Sequence, residues 1–189
     1  MKKSWIPPLV AALEKAGSRS ATFVRLYSRP YKRVVKKEIL MSGLNSGDRI
    51  LNVGCGAIPF TAVHLATMTG ARICALERDP AAAESAARCV HRLGLQGSIE
   101  VLTRDALEPF GFAFSAAVVS LQAEPKRDIW QRLQQEAMPG AKFIFRLPSG
   151  AYAHHYDDSL NPGFAPSAWT AQPMRTFDRS VLYIQENTA

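Results

Sequence analysis

The sequence has little cysteine and no long apolar run. Only three of its 189 residues are cysteine, and their spacing matches no metal site. An odd number of isolated thiols (Cys55, Cys74 and Cys89) argues against a disulfide framework and against structural zinc. No stretch of about 18 apolar residues is available for a membrane span. We therefore expect a soluble protein with reduced, buried thiols and no metal.

The amino terminus lacks the long apolar core of a secretory signal peptide, which predicts a cytoplasmic protein. Internal repeats and low-complexity linkers are absent as well. With 47% apolar and 21% charged residues, the chain is long enough to bury one proper core. We expect a single domain in which a basic helical segment, residues 1–47, packs on a core formed by residues 48–189.

Acidic residues are scarce at the amino-terminal end. Residues 1–49 hold 11 Lys and Arg against 3 Asp and Glu, whereas residues 50–189 hold 12 against 13, so the net charge of +7 lies before the first predicted strand. Such a segment attracts phosphates, an acidic substrate or a membrane surface. No nucleic-acid-binding motif accompanies it, so a solvated helix face is the simpler interpretation. Its central cations and tyrosines are Arg25, Tyr27, Arg29, Tyr31, Lys32, Arg33, Lys36 and Lys37.

An apolar run that breaks into a two-glycine turn is the most informative feature that is present. It stands as ILNVGCGAIPFT at residues 50–61, and Pro59 starts the helix that follows. Glycines let the backbone leave a strand at angles that other residues avoid, and they let a ligand approach the main chain. The N–H groups of the helix start then face that ligand. The turn predicts a nucleotide-type binding site.

Strand and helix signals alternate after this turn. Helices are predicted at residues 59–68, 81–93 and 126–138. Strands are predicted at residues 72–76, 99–102, 114–121 and 142–147, and residues 170–176 and 180–185 are predicted to form a hairpin around Phe177, Asp178 and Arg179. The order predicts an α/β protein with a Rossmann-like, mostly parallel seven-stranded sheet, helices on both faces and a closing antiparallel hairpin.

Two acidic residues follow strands at the same edge of that sheet. Glu77 lies 21 residues beyond Gly56, at the end of the second strand, where its carboxylate can accept hydrogen bonds from ribose hydroxyls. Asp105 ends the third strand, where it can meet an adenine amino group while apolar neighbours hold the ring. The ends of three strands therefore converge on one crevice.

The ensemble resembles the class I methyltransferases that bind S-adenosylmethionine, over roughly residues 48–147. That family's first motif is acidic-x-G-x-G-x-G, and this chain departs from it with Asn52 at the acidic position and Ile58 at the third glycine. The resemblance implies S-adenosyl-L-methionine as the cofactor, whose sulfonium supplies the activation, so no covalent nucleophile is needed. The implied cofactor contacts are Asn52, Gly54, Cys55, Gly56, Ile58, Glu77, Arg78, Asp105, Ala106 and Ser120.

The departure at Ile58 and Pro59 is similar to nicotianamine synthases, which share the fold and whose pattern is Gly-x-Gly-x-Ile/Leu-Pro-x-Thr. Those enzymes transfer aminobutyryl groups instead of methyl groups, and they carry a larger amino-terminal helical region. Further agreement comes from Arg146 to Ala151 and from Tyr31 and Glu38. Three hypotheses stay open: a methyltransferase acting on a small-molecule acceptor, which we favour, an aminobutyryl transferase, and a non-catalytic binding protein. An anionic acceptor and a homodimer are compatible with all three.

The candidate catalytic residues are Glu38, Tyr31 and His154. Glu38 is either a general base pointing into the site or the partner of a neighbouring lysine on the helix surface. Val34, Val35, Ile39, Leu40 and Leu44 form an apolar stripe that docks this helix on the sheet. The cluster at residues 154–158, HHYDD, is interpreted as a polar surface or substrate lid, since adjacent residues rarely converge on one metal ion. Gln122 and Glu124 either contact the acceptor or cap the next helix.

Overall fold

A computed structural model describes residues 29–157, 159–160 and 162–185. Arg25 and Tyr27 of the basic segment lie outside the described residues, as does the side chain of Arg29. The helices are α1 (Arg29–Ser42), α2 (Phe60–Thr69), α3 (Pro80–Arg92) and α4 (Lys126–Glu136), with a 3-10 helix at Gly150–His155. The strands are β1 (Arg49–Val53), β2 (Arg72–Glu77), β3 (Ile99–Thr103), β4 (Ala116–Val119), β5 (Lys142–Pro148), β6 (Ala168–Ala171) and β7 (Phe177–Ile184).

The seven strands form one sheet in the order β3-β2-β1-β4-β5-β7-β6. Strands β1 to β5 are parallel, and β7 runs antiparallel to β5 and to β6. The chain winds outwards from β1 to β3 and then returns to β4, so the strand order reverses between β1 and β4. Ligands of open α/β sheets bind at such a reversal, outside the carboxyl ends of the strands. We call this side of the sheet the carboxyl edge.

Helices α1, α2 and α3 cover one face of the sheet. Val35 of α1, Leu65 of α2 and Val90 of α3 share one buried cluster with Ile50 of β1 and Ile144 of β5. Burial of this apolar surface stabilises the packing of the basic amino-terminal helix on the sheet by roughly 25 cal/mol per Å².

The other face is covered by α4 and by aromatic side chains. Trp130 of α4 lies 5.4 Å from Phe143 and 5.1 Å from Tyr183, measured between ring centroids. Phe110 and Phe114, from the irregular segment between β3 and β4, complete this cluster. The predicted fold class, including the helices on both faces and the closing hairpin, is confirmed.

The apolar stripe on α1 is confirmed except at Leu40. Val34 and Val35 are buried and Ile39 is half-buried, but Leu40 is 73% exposed. Leu44, two residues beyond the end of α1, is also buried. The reason is helical geometry: Leu40 follows the buried Glu38 by two residues, about 200° around the helix, and therefore lies on its outer side. On this outer side Lys32, Arg33 and Lys36 are exposed, as a solvated helix face requires.

The predicted bounds of the hairpin were wrong. Phe177, Asp178 and Arg179 belong to β7 and do not form its turn; β6 ends at Ala171, which pairs with Arg179. The turn is made by residues 172–176, where the main-chain N–H of Gln172 donates to the carbonyl oxygen of Asp178. Pro173 in this segment has no N–H to donate to a strand, which is why the strand cannot continue to residue 176.

No helix in the described part of the chain is long and apolar enough to cross a membrane. Across the same residues, no group of three or more His, Cys, Asp and Glu side chains is placed to hold a metal ion. Cys55, Cys74 and Cys89 are buried free thiols.

Candidate functional site

The glycine turn after β1 lies at the carboxyl edge and has the backbone that its sequence demands. Gly54 and Gly56 have φ angles of 73° and 69°, in the left-handed region that favours glycine. A Cβ added to Gly54 would lie 3.4 Å from the Cβ of Ala123, so the turn also packs closely on the β4–α4 loop. A Cβ on Gly56 would meet no protein atom within 4 Å, so the main chain there faces open space.

Glu77 holds this turn against the end of β2. Its Oε2 accepts a hydrogen bond of 2.8 Å from the main-chain N–H of Gly56, and its Oε1 accepts one of 3.1 Å from Asp79. The N–H groups of Gly54 and Cys55 donate to the carbonyl oxygen of Leu76. Each carboxylate oxygen has a further lone pair. Glu77 is therefore oriented by the turn and keeps acceptor capacity for a ligand hydroxyl.

The other predicted cofactor residues that follow β2, β3 and β4 lie around the same crevice. Arg78 is exposed on the bend after β2. Asp105 uses Oδ1 to accept from the main-chain N–H of Leu107, which fixes the loop after β3, and the neighbouring Ala106 is buried. Ser120 is buried at the end of β4, where its N–H donates to the carbonyl oxygen of Val53. Their contacts with a cofactor stay predictions.

Asn52 is fully buried on β1, two residues before Gly54. Its amide nitrogen donates to the carbonyl oxygen of Val118 on β4 at 3.2 Å. Its amide oxygen is buried and has no hydrogen-bond partner among the described residues. A buried acceptor without a partner is costly, so this oxygen suits a ligand that brings a donor to the turn.

The thiol of Cys55, inside the turn, is chemically inert. Burial and then the neighbouring Glu77 carboxylate raise the pKa of Cys55 to about 12. The reactive thiolate is therefore scarce at neutral pH, and Cys55 contributes packing to the turn. Ile58, which precedes Pro59 at the start of α2, is half-buried.

A buried ion pair lies on the α1–α3 face beside the turn. Nε and Nη2 of Arg146 donate to Oε1 and Oε2 of Glu38 at 2.8 and 2.9 Å, and both side chains are almost completely buried. Burial alone would lower the pKa of Arg146, but the Glu38 carboxylate beside it holds that pKa above its usual value. The expected pairing of Glu38 with a surface lysine was wrong, because Glu38 lies on the inner side of α1.

Three further polar side chains extend this pair into a network. Nη1 of Arg146 donates to Oγ1 of Thr61 in the first turn of α2 at 2.9 Å. Ser180 of β7 donates to Oε1 of Glu38 at 2.7 Å, and Gln172 donates to the Ser180 hydroxyl at 2.9 Å. We call these five residues the Glu38–Arg146 network. It joins the amino-terminal helix, the helix after the glycine turn, and the closing hairpin.

Aromatic rings enclose the guanidinium of Arg146. It lies 5.9 Å from the ring centroid of Tyr31 and 5.6 Å from that of Phe177, within the range of cation–π attraction. Tyr31 also stacks on Phe60, the first residue of α2, with 5.4 Å between centroids. Tyr31 is therefore brought to the start of the helix that follows the glycine turn, whereas the role of Glu38 as a general base stays a prediction.

His154 lies outside this network. It is exposed in the 3-10 helix after β5, and its ring lies 3.9 Å from that of His155. Gln122 and Glu124 are exposed on the loop after β4, and their contact with an acceptor stays a prediction.

Lys126 and Asp157 hold the loop after β4 in place. The ammonium group of Lys126 donates to the carbonyl oxygens of Leu121 and Ala123, and its main-chain N–H donates to the carboxylate of Asp157. Although burial acts to raise the pKa of Asp157, the hydrogen bond from the main-chain N–H of Lys126 and those from Ser159 lower it. The loop therefore presents a fixed surface to the turn at Gly54.

The Glu38–Arg146 network was not predicted from the sequence as a unit. The sequence indicates Arg146 only as part of residues 146–151. An arginine inside the apolar run KFIFRLP is nevertheless a signal for a buried partner. Thr61 was part of the quoted motif without a role. Ser180 and Gln172 carry no local signal, because the hairpin that brings them to Glu38 is distant in sequence.

The chain was compared with known proteins. The family model described as "Nicotianamine synthase protein" matches residues 22–163. L-histidine 2-aminobutanoyltransferase of Yersinia pestis is 33% identical over 76 residues, which are 40% of this chain and 29% of the relative. Protein-L-isoaspartate O-methyltransferase of Methylorubrum populi is 41% identical over 123 residues, 65% of this chain and 54% of the relative. The chain thus spans about half or less of these curated relatives.

Among solved structures, a glutamate-to-glutamine variant of MtNAS in complex with S-adenosylmethionine superposes with a TM-score of 0.82 at 23% identity, covering 95% of this chain and 72% of that one. At this identity the likeness shows the fold. The predicted resemblance to class I methyltransferases and to nicotianamine synthases is confirmed. Because the family model matches most of the chain, across the glycine turn, α1 and β5, the protein belongs to the nicotianamine synthase protein family.

Proposed function

We propose that this protein transfers the aminobutyryl group of S-adenosylmethionine to a small amine acceptor. The observation that carries the proposal is the family match over residues 22–163, which spans the glycine turn and the predicted catalytic residues Tyr31 and Glu38. The aminobutanoyltransferase of Yersinia pestis, named for L-histidine as its acceptor, supports the same reaction class. We also propose that the protein is cytoplasmic and that it forms a homodimer.

The residues present fit such a cofactor. Gly56 exposes main chain to open space, Glu77 keeps acceptor capacity for ribose hydroxyls, and the buried amide oxygen of Asn52 suits the cofactor's amino group. Pro59 provides no side-chain cap for α2, and the start of this helix follows the glycine turn directly. Arg78, Asp105, Ala106 and Ser120 would complete the adenosine side.

When bound, S-adenosylmethionine would supply an activated methylene carbon next to its sulfonium. The acceptor's amine nitrogen would bond to this carbon while the carbon–sulfur bond breaks, and methylthioadenosine would leave with the electron pair. The chain's own residues bind S-adenosylmethionine and the acceptor and orient them towards each other. Glu38 is buried and accepts two hydrogen bonds from Arg146, whose guanidinium lies beside Tyr31. Glu38 therefore acts as a positioning residue: through Arg146 it holds Tyr31 beside Phe60. Orientation of this kind contributes strongly to rate.

Methyl transfer is the second candidate. The 41% identity to a protein-L-isoaspartate O-methyltransferase over 123 residues favours it, and the class I fold serves both reactions. In that case the acceptor takes the methyl group at the same edge, and S-adenosylhomocysteine is released.

The two reactions differ in their product. We would incubate the purified protein with S-adenosylmethionine and a panel of amines that includes L-histidine, and identify the released nucleoside by mass spectrometry. The proposal predicts that methylthioadenosine is released only when an acceptor is present. Release of S-adenosylhomocysteine would support methyl transfer, and release of neither product would indicate a non-catalytic binding protein. Gly56→Val should abolish turnover because its φ of 69° excludes a branched side chain, whereas Gly97→Ala is a matched control whose Cβ meets no atom.

A further inference from the structure

A groove lies at the edge of the sheet opposite the glycine turn, where the parallel strands β1, β2 and β3 begin. Its volume is about 660 Å³, within the range of roughly 300–1,000 Å³ that small-molecule sites occupy. Arg49 begins β1, Arg72 begins β2, and Gln96 and Ser98 belong to the loop before β3. Glu100 of β3 also lines the groove. We call this site the amino-edge groove.

The two arginines of this groove stand side by side on neighbouring strands. Arg49 and Arg72 are register partners in the parallel pair of β1 and β2, so their side chains leave the same face of the sheet. Both are exposed, and neither forms an ion pair with another residue in the part of the chain that the structure describes. Like charges on directly opposite residues destabilise a strand pair. An anion held between the two guanidiniums offsets this repulsion.

The guanidinium of Arg49 is oriented by a ring and not by an acceptor oxygen. It lies over Phe112, from the irregular segment between β3 and β4, at 4.9 Å from the ring centroid. The carboxylate of Asp48, the preceding residue, is engaged elsewhere: its Oδ1 accepts from the Ser115 hydroxyl and its Oδ2 from the main-chain N–H of Asn45. The N–H donors of the Arg49 guanidinium therefore remain for a ligand in the groove.

The rest of the lining adds hydrogen-bond donors and one opposing charge. Gln96 brings an amide and Ser98 a hydroxyl, and Glu100 is the one acidic side chain among the described residues that line the groove. Cys74 adds no negative charge, because burial and then the neighbouring Glu100 carboxylate raise the pKa of its thiol to about 12. Phosphate oxygens accept paired hydrogen bonds from guanidiniums, so this arrangement of donors suits a phosphate group.

We propose that the amino-edge groove binds a phosphate group, with Arg49 and Arg72 as the two cations that anchor it. Gln96 and Ser98 donate further hydrogen bonds, and Glu100 limits the affinity by repulsion. The inference goes beyond the proposed function and does not depend on it. The full length of β1, Arg49–Val53, separates this groove from the glycine turn, and neither S-adenosylmethionine nor methylthioadenosine carries a phosphate.

Nuclear magnetic resonance of the full chain tests this site without turnover. We would titrate inorganic phosphate, and separately ribose 5-phosphate, into nitrogen-15-labelled protein at constant ionic strength, with chloride as the balancing anion. The Nε–H signals of Arg49 and Arg72 should shift and saturate. Arg49→Gln and Arg72→Gln should each weaken phosphate binding by about tenfold, because each removes charge-assisted hydrogen bonds, and Glu100→Gln should tighten it. Both probes carry the proposed group: tighter binding of ribose 5-phosphate supports a phosphorylated small molecule as the ligand, and equal binding supports the free anion.

The control is Arg88→Gln, which removes an exposed arginine of α3 that pairs with Glu84 outside the groove. It should leave phosphate binding unchanged. The absence of a saturable shift, or equal phosphate affinities of Arg49→Gln, Arg72→Gln and the unmodified protein, would overturn the assignment and leave an adventitious ion only. The two proposals fail separately: a protein that binds no phosphate can still release methylthioadenosine in the product assay, and a negative product assay leaves the phosphate titration unaffected.

Discussion

Glu77 is the residue whose placement matters most for cofactor binding, because it orders the glycine turn and faces the crevice. Removal of its carboxylate leaves the N–H groups of Gly56 and Asp79 without their acceptor and removes the proposed ribose contacts. We therefore expect Glu77→Ala to weaken S-adenosylmethionine binding by about 1–3 kcal/mol, measured by calorimetry. The control is Glu100→Ala on β3, an exposed carboxylate that should not matter. Equal affinities of Glu77→Ala and the unmodified protein would remove the ribose assignment.

Because the thiol of Cys55 is buried, we expect the protein to lose stability as the pH becomes alkaline. Its pKa is about 12 in the folded chain, whereas an unfolded thiol has a pKa of about 8.5. Because the folded pKa is the higher one, the contribution of the buried neutral thiol to the free energy of unfolding is complete below pH about 8.5 and is lost as pH rises towards 12. Urea unfolding should show the stability of the unmodified protein falling towards that of Cys55→Ala above pH about 9. A gap between the two proteins that stays constant up to pH about 11 would contradict the burial effect.

At the scale of elements, the Glu38–Arg146 pair fastens α1 to β5 and, through Thr61 and Ser180, to α2 and the hairpin. Breaking a buried pair leaves an uncompensated charge, which costs about 3–5 kcal/mol. We expect Glu38→Leu and Arg146→Met each to destabilise the fold by that amount, and the double variant to be less destabilised than the sum of the two. A double-mutant cycle in urea measures this coupling. Additive effects would mean that the two charges do not stabilise each other. Ser149→Ala, which removes an exposed hydrogen bond to Arg175, is the control.

The elements that could be predicted from the sequence are those with local signals. Gly54, Gly56 and Pro59 mark the turn and the start of α2, so the first βαβ unit could be predicted. The hairpin bounds failed because Pro173 was placed inside a strand. The Glu38–Arg146 network could not be derived, since its members lie up to 142 residues apart and only the folded sheet brings Glu38 to Ser180.

At the scale of the whole molecule, helices from the basic amino-terminal segment and from the core share one buried cluster. Val35 of α1 packs with Leu65 and Ile144, which argues for one cooperative unit despite the uneven charge. We expect far-ultraviolet circular dichroism and the fluorescence of the buried Trp130 to report the same urea midpoint. The chain has three tryptophans, so the control is the Trp5→Phe/Trp169→Phe variant, which leaves Trp130 as the reporter. Separate midpoints would divide the chain into two units.

The central claim is that the aminobutyryl group, and not the methyl group, leaves S-adenosylmethionine at this carboxyl edge. The direct measurement uses S-adenosylmethionine carrying one heavy-isotope label in its amino group and a different one in its methyl group, with L-histidine as acceptor. Mass spectrometry of the modified acceptor should find the amino label and no methyl label, with methylthioadenosine retaining the methyl label. An acceptor carrying only the methyl label would contradict the account and assign the site to methyl transfer.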